Sequence, residues 1–216
     1  MSVQMKTIIS GINLKPYKGA FGYSSVTLLE DGHDLILFDT GGYGVRRIIF
    51  ELQKEYQINK VFISHLHFDH CSNIDLFKKA KIFINAKEFE NFQVNQDDLD
   101  LYRPVADYLK YLNVCTFEQE FYISQNIKIV FTYGHTIGHS SLEFCRNNER
   151  VLIAGDAIKS LPDYLNLMEY GNAQDSQQCL ATKKYIKNKY DIIIPGHSKV
   201  INRSCLEHNN FEFKLF

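Results

Sequence analysis

The sequence predicts an α/β layered sandwich, two β-sheets with helices packed outside them. Three observations point there. Short β-prone runs occur in both halves of the chain, and several are followed by stretches with helical apolar spacing. Hydrophobic residues make up 45% of the 216 positions, enough to fill the cores that such layers need.

The elements follow in order. Residues 23–29 (YSSVTLL) and 34–39 (DLILFD) read as a hairpin around Glu30-Asp31-Gly32-His33. Val45, Ile48, Ile49, Leu52 and Tyr56 then form one apolar stripe at helical spacing. Two short apolar runs, 60–64 and 81–84, read as buried strands. Residues 86–113 read as a helix-leaning insert, with Pro104 suited to a first helical turn and Val105, Tyr108, Leu109 and Leu112 sharing a face. Strands are expected again at 119–124, 127–132, 140–145 and 151–155, then a polar helix over about 174–189 and a strand at 191–194. No repeat or Gly/Ser linker interrupts the chain, so one domain over 1–216 is expected.

Charge and composition exclude several classes. With 24 basic and 25 acidic side chains the net charge is −1, no general attractor for nucleic acid or an anionic membrane. No run approaches the ~20 apolar residues that cross a bilayer, and the first residues are too polar for a signal-peptide core. Five scattered cysteines without a CxxC pair fit free thiols, and the expected location is cytoplasmic. Cys71, beside the motif described next, reads as a packed small residue before a reactive thiol. Lys183, Lys184, Lys187 and Lys189 read as a solvated helix face.

The chemistry is concentrated in His65-Leu66-His67-Phe68-Asp69-His70. At an extended strand end, residues i and i+2 point to one side, so His65 and His67 can grip one metal. If the chain turns after Phe68, Asp69 and His70 point elsewhere and can serve a second. Imidazole with carboxylate suits Zn²⁺, with Fe²⁺ or Mn²⁺ as alternatives. A surface histidine cluster or a pH-sensing patch is the competing interpretation. Three further ligand-type side chains lie just past apolar strands: His135 in Gly134-His135-Thr136-Ile137-Gly138-His139, Asp156 in Ala154-Gly155-Asp156, and His197 in Pro195-Gly196-His197-Ser198.

Together with Phe38-Asp39-Thr40-Gly41, this ordered set resembles the metallo-β-lactamase superfamily of binuclear metallohydrolases, over about residues 23–198. The spacing is most similar to the small lactonase and glyoxalase-II-like branches. The resemblance implies a four-layer αββα sandwich of two mixed β-sheets flanked by helices, with the metals at one edge between the sheets. It implies two Zn²⁺ per chain. One would be held by His65, His67 and His135, the other by Asp69, His70 and His197, with Asp156 bridging and Asp39 orienting a ligand. His139 stays open between supporting a ligand, facing the substrate and a structural role in its loop.

The implied reaction is hydrolysis, in which a metal-bridging hydroxide attacks a carbonyl and Asp69 carries a proton. A small-molecule lactone or related ester is the first substrate class and a thioester the second. An iron-loaded redox protein, a phosphodiesterase or nuclease, and a non-catalytic metal-binding module are the rivals. Diiron members carry Glu where this chain has His67, and nucleases add an RNA-gripping arm. Only 19 residues follow His197, short for a glutathione-holding region. Lactonases often place Tyr three residues after the bridging aspartate; here that residue is Lys159, with Tyr164 nearby. Lys159 reads equally as a cation for an oxyanion or carboxylate and as a surface lysine. Phe68, Phe89, Phe92, Tyr102, Tyr108, Leu161, Tyr164 and Leu165 are candidates for an apolar acyl pocket, against ordinary core packing. A homodimer is compatible with the family.

Overall fold

In the computed structural model, which describes residues 2–14, 21–94, 103–166 and 173–208, two sheets stack face to face between helical layers. The first sheet is formed by β1 (Gln4–Ile9), β4 (Val26–Asp31), β5 (Asp34–Phe38), β6 (Lys60–Phe62), β7 (Lys81–Asn85) and β8 (Asn113–Phe117), in that spatial order. A small ribbon of β2 (Ile12–Leu14) and β3 (Phe21–Tyr23) lies apart. The second sheet runs β13-β12-β11-β10-β9, with β9 (Lys128–Phe131), β10 (Ser140–Arg146), β11 (Glu149–Gly155), β12 (Ile192–Pro195) and β13 (Ile201–Asn202). Both sheets are mixed. β5 to β8 run parallel, as do β11 and β12, and the remaining pairs are antiparallel.

The period of two along each strand assigns the layers. Ile36, Phe38, Phe62 and Phe83 point between the sheets and meet Ile129, Leu142, Phe144, Val151 and Ile153. Their neighbours Leu37, Val61, Ile82 and Ile84 point outward, against the helices α1 (Arg46–Glu55) and α4 (Arg103–Leu109). With both faces covered, these strands read as continuous apolar runs rather than alternating ones. On α1, Ile49 and Leu52 are buried, worth ~1.5–3 kcal/mol each. Ile48, on the expected stripe, is 51% exposed. On the second sheet's outer face, Leu152, Ala154 and Ile193 pack with Tyr164 of α5 (Leu161–Asn166) and with Ile186 of α6 (Ser176–Lys189). The short α2 (Phe68–Cys71), α3 (Ala86–Val94) and α7 (Arg203–His208) complete the helices named here.

Parallel pairing requires crossovers, and this corrects one expectation. Of the helix-leaning segment, the described residues form α3 and α4, which lie between β7 and its parallel partner β8. The edge strand is therefore Asn113–Phe117, and residues 119–124 form no strand. They turn back instead, with Ile123 N donating to Ile127 O and a lone bridge from Tyr122 to Lys128. The strand β1 was not anticipated. As a sheet edge it is only half buried, so its apolar signal is weak. The β10–β11 hairpin turns on Asn147 and Asn148, both at positive φ (51° and 63°), as a two-residue type I′ turn requires. Among the described residues, no helix is long and apolar enough to cross a membrane.

Candidate metal centre

The C-terminal ends of β5, β6, β11 and β12 point toward one edge of the sandwich, and the chain leaves each through a loop that carries a polar side chain. After β5 comes Asp39, at φ 58°. After β6 comes the hexapeptide, whose second half forms α2. After β11 comes Asp156, and after β12 His197. His135 arrives from the loop between β9 and β10.

These loops bring the seven expected side chains together. His67 Nδ1 lies 2.8 Å from His65 Nε2 and 3.1 Å from His135 Nε2. On the other side, Asp69 Oδ2 lies 3.4 Å from His197 Nε2 and 3.8 Å from His70 Nε2. Asp156 stands between the groups. Its Oδ2 is 3.3 Å from His135 Nε2, while its Oδ1 is 3.1 Å from His197 Nε2 and 3.3 Å from His70 Nε2. His65 also groups with His70 and Asp156.

The supporting contacts fix which nitrogen faces inward. Asp39 accepts Ser64 N on Oδ1 (2.8 Å), and Ser64 Oγ (2.8 Å) and His70 Nδ1 (2.7 Å) on Oδ2. With its hydroxyl proton given to Asp39, Ser64 Oγ accepts from His65 Nδ1 at 3.0 Å, which leaves His65 Nε2 as a lone pair facing the cluster. His197 Nδ1 donates to Tyr23 O (3.2 Å). Gly196 is required here, because a Cβ on it would sit 2.0 Å from Asp156 Oδ1.

A metal fits this arrangement. His70 Nε2 and Asp156 Oδ1 are buried without a hydrogen-bond partner, and both belong to the cluster. The donors are imidazole and carboxylate, the set that borderline divalent cations take. Burial pushes His65 and His135 well below the usual imidazole value, and His67 down to about 4, so these three are neutral bases ready to ligate. At His70 and His197 burial acts in the same direction, but the neighbouring carboxylates, Asp69 and Asp156 chief among them, outweigh it and raise both. Burial would raise Asp156, yet His197, His70 and His135 hold it well below the usual carboxylate range.

His139 lies beside the cluster with a structural contact set. Its Nδ1 donates to Thr132 Oγ1 (2.9 Å) and its Nε2 accepts from Asp156 N (3.2 Å), while burial pushes its pKa to about 3. Cys71 is buried, its thiol donates to His67 O, and burial raises its pKa well above the usual thiol value. It is a packed residue.

One expectation needs correction. Lys183 is no solvated side chain: it is buried with its Nζ 2.5 Å from Asp163 Oδ1, because α6 lays that face on the second sheet and on α5. Tyr164 packs in the apolar cluster under α6. Among the other acyl-pocket candidates, core packing, the competing interpretation, describes several. Phe89 packs on the first sheet's outer core, Leu161 on the second's, and Leu165 lies in a groove with Arg203 and Leu206. Tyr108 is half-exposed and Tyr102 lies outside the described residues. Phe92 lines a cavity of about 150 Å³ with Leu66, His67 and Thr136, and Phe68 is half-exposed inside the motif.

Two supporting residues escaped the sequence reading. Asn73 donates its side-chain amide to Thr40 O, Gly41 O and Gly42 O, at 2.8–3.1 Å, tying the loop after β5 to the hexapeptide. Buried Glu88 accepts Leu66 N (3.0 Å) on one oxygen and Gly138 N (3.1 Å) on the other. It thereby clamps the loops that carry His67 and His135. Gly138 lets them approach, since its Cβ would lie 2.3 Å from Glu88 N. Neither residue has a local signal: one Asn in a turn and one Glu in a first helical turn look like ordinary surface residues.

Residues 19–197 match the metallo-β-lactamase superfamily. The chain belongs to that superfamily. Among its relatives, a Methanocaldococcus jannaschii protein named "Probable metallo-hydrolase" is 26% identical over 183 residues, 79% of this chain and 74% of the relative. An N-acyl homoserine lactonase from a Bacillus species is 27% identical over 150 residues, 67% of this chain but 58% of the lactonase. A solved N-acyl homoserine lactone hydrolase, with N-hexanoyl-L-homoserine at its catalytic metal centre, superposes with a TM-score of 0.72 at 20% identity, covering 91% of this chain and 93% of that one. The superfamily fold, two mixed sheets flanked by helices, is the one described above. The chain is thus a metallo-hydrolase of the metallo-β-lactamase superfamily.

Proposed function

We propose that this metallo-hydrolase is binuclear and opens a lactone or a related small ester, with thioesters as the second substrate class. The observation that carries the reading is the position of Asp156, whose two oxygens face different histidine groups at 3.1–3.3 Å, the placement of a bridging carboxylate. In this reading His65, His67 and His135 hold one cation, Asp69, His70 and His197 hold the other, and zinc suits both donor sets. Two such cations supply an acidified water and a polarised substrate carbonyl.

The chain's own residues do the rest. Ser64 and Asp39 lock the tautomers of His65 and His70, so no rotation is needed when substrate arrives. Asp69, with its side chain 19% exposed, is the more accessible of the two carboxylates and would carry a proton to the leaving oxygen during the reaction. Lactonase relatives, in sequence and in fold, support the substrate class.

The test is zinc-reconstituted protein with counted metal, assayed for ring opening of an acyl-homoserine lactone by proton release. Two zinc per chain and chelator-sensitive opening is the expected result. One metal per chain would overturn the binuclear reading. No opening by fully loaded protein, with thioesters or phosphodiesters cleaved instead, would overturn the lactone assignment.

A further inference from the structure

Asp163 of α5 and Lys183 of α6 form an ion pair whose side chains are 0% and 3% exposed. Asp163 belongs to none of the ligand groups of the candidate centre. Taking two charges out of water costs about as much as their attraction returns, or more. A well-packed apolar pair of similar volume often serves a fold equally well. Fold stability alone therefore does not call for this pair.

What the pair holds is more informative. Lys183 Nζ lies 2.5 Å from Asp163 Oδ1, and Asp163 Oδ2 accepts Lys159 N (2.8 Å). That amide closes the turn after β11, which carries Asp156. The same turn receives the loop after β12: Gly196 N donates to Ile158 O (3.0 Å) and His197 N to Lys159 O (2.7 Å). With Oδ1 gripped by a buried ammonium, the plane of the carboxylate is fixed and Oδ2 stays on the turn. The same helix supplies a second anchor. Thr182, next to Lys183, donates its Oγ1 to Tyr133 O (2.8 Å), two residues before His135. Neighbouring residues of α6 thus hold the loop that carries His135 and the turn that carries Asp156, and those two side chains lie 3.3 Å apart.

We propose that Asp163 and Lys183 are positioning residues for the candidate centre: the pair presets the Asp156 turn, and through it the His197 loop, before any cation binds. The assignment rests on the binuclear reading for the roles of Asp156 and His197, and metal binding tests it without turnover.

Two double variants remove both charges, so neither leaves a lone buried ion. Asp163→Leu/Lys183→Met deprives Lys159 N of its acceptor, whereas Asp163→Asn/Lys183→Met keeps an amide oxygen for it. The melting temperature of each metal-free variant should stay close to that of the wild type or rise. Cobalt titration, read by its visible bands, should show the Leu/Met variant weakened by about 10-fold or more, first at the step assigned to Asp69, His70 and His197. The Asn/Met variant should recover part of that loss. Wild-type cobalt affinity in the Leu/Met variant would overturn the proposal. Equal losses in both variants would also overturn it, because they would place the effect in the packing of α5 and not in the turn. Should a variant fail to fold, amide hydrogen exchange in the wild type decides. The Lys159 and His197 amides should resist exchange before cobalt is added; protection gained only on loading would show that the metal sets the turn, against the proposal. Two cobalt ions bound by the wild type with no ester cleaved would sink the hydrolase reading and leave the role of the pair standing.

Discussion

The two halves of the candidate centre differ in how they are charged and held. His65, His67 and His135 are neutral, pushed down by burial, and their loops are clamped by Glu88 through backbone N–H groups. His70 and His197 lie among carboxylates and are raised, and His70 is gripped directly by Asp39. One half offers neutral imidazoles. The other favours the protonated form through its carboxylates. The difference teaches that one cluster of similar residues can present two groups with opposite linkage to pH.

The strongest way to break the comparison is Asp156→Ala, because this side chain faces both halves. Both metals should weaken together, with hydrolysis falling by about 10³-fold or more. Metal analysis after gel filtration checks it, and unchanged stoichiometry would contradict a shared carboxylate. The halves should separate in the next pair. Asp39→Asn should weaken chiefly the Asp69/His70/His197 subsite, and Glu88→Gln chiefly the His65/His67/His135 subsite, each by about 10–100-fold. Cobalt titration read by its visible bands resolves the two steps; loss of both steps in either variant would mean one cooperative site.

The stability of the metal-free protein sharpens the contrast. The lowered histidines take up protons more readily when unfolded, so stability should fall as pH drops from about 6.5 toward the value of about 4 at His67. His70 and His197, raised in the fold, contribute stability that is complete below about 6.5 and is lost as pH rises through their folded values. A melting temperature that peaks near neutrality and declines on both sides is expected, and metal should flatten both arms. A monotonic profile would show that one half dominates. The smallest effect is expected at Asp175, which caps α6 by accepting Gln178 N (2.9 Å) and whose own N–H donates to Gly134 O beside His135. Asp175→Ala should cost about 1 kcal/mol in urea unfolding, with a slight loss at the His135 subsite only.

What could be read from sequence divides along similar lines. The hexapeptide was legible because four of its six residues are ligand types and a strand end followed by a turn gives them two directions. His135, Asp156 and His197 were legible only as a set, since each alone is a common turn. Glu88, Asn73 and Lys183 were not legible. Their meaning comes from distant backbone and from a partner 20 residues away, which no local spacing encodes. The same holds for the fold. Central strands with both faces covered stood out as apolar runs. The half-covered edges β1 and β8 did not, so the strand expected at 119–124 lies at Asn113–Phe117 instead.

Asp39 bears a consequence for how this protein can vary. Its backbone sits in the left-handed region at φ 58°, which Gly, Asn and Asp tolerate, and its carboxylate serves Ser64 and His70. Glycine would satisfy the first demand alone, glutamate the second alone, and asparagine would keep the conformation with half the acceptors. The position is pleiotropic: one codon answers to chain geometry and to ligand chemistry together, so a library varied at this site should return aspartate almost alone.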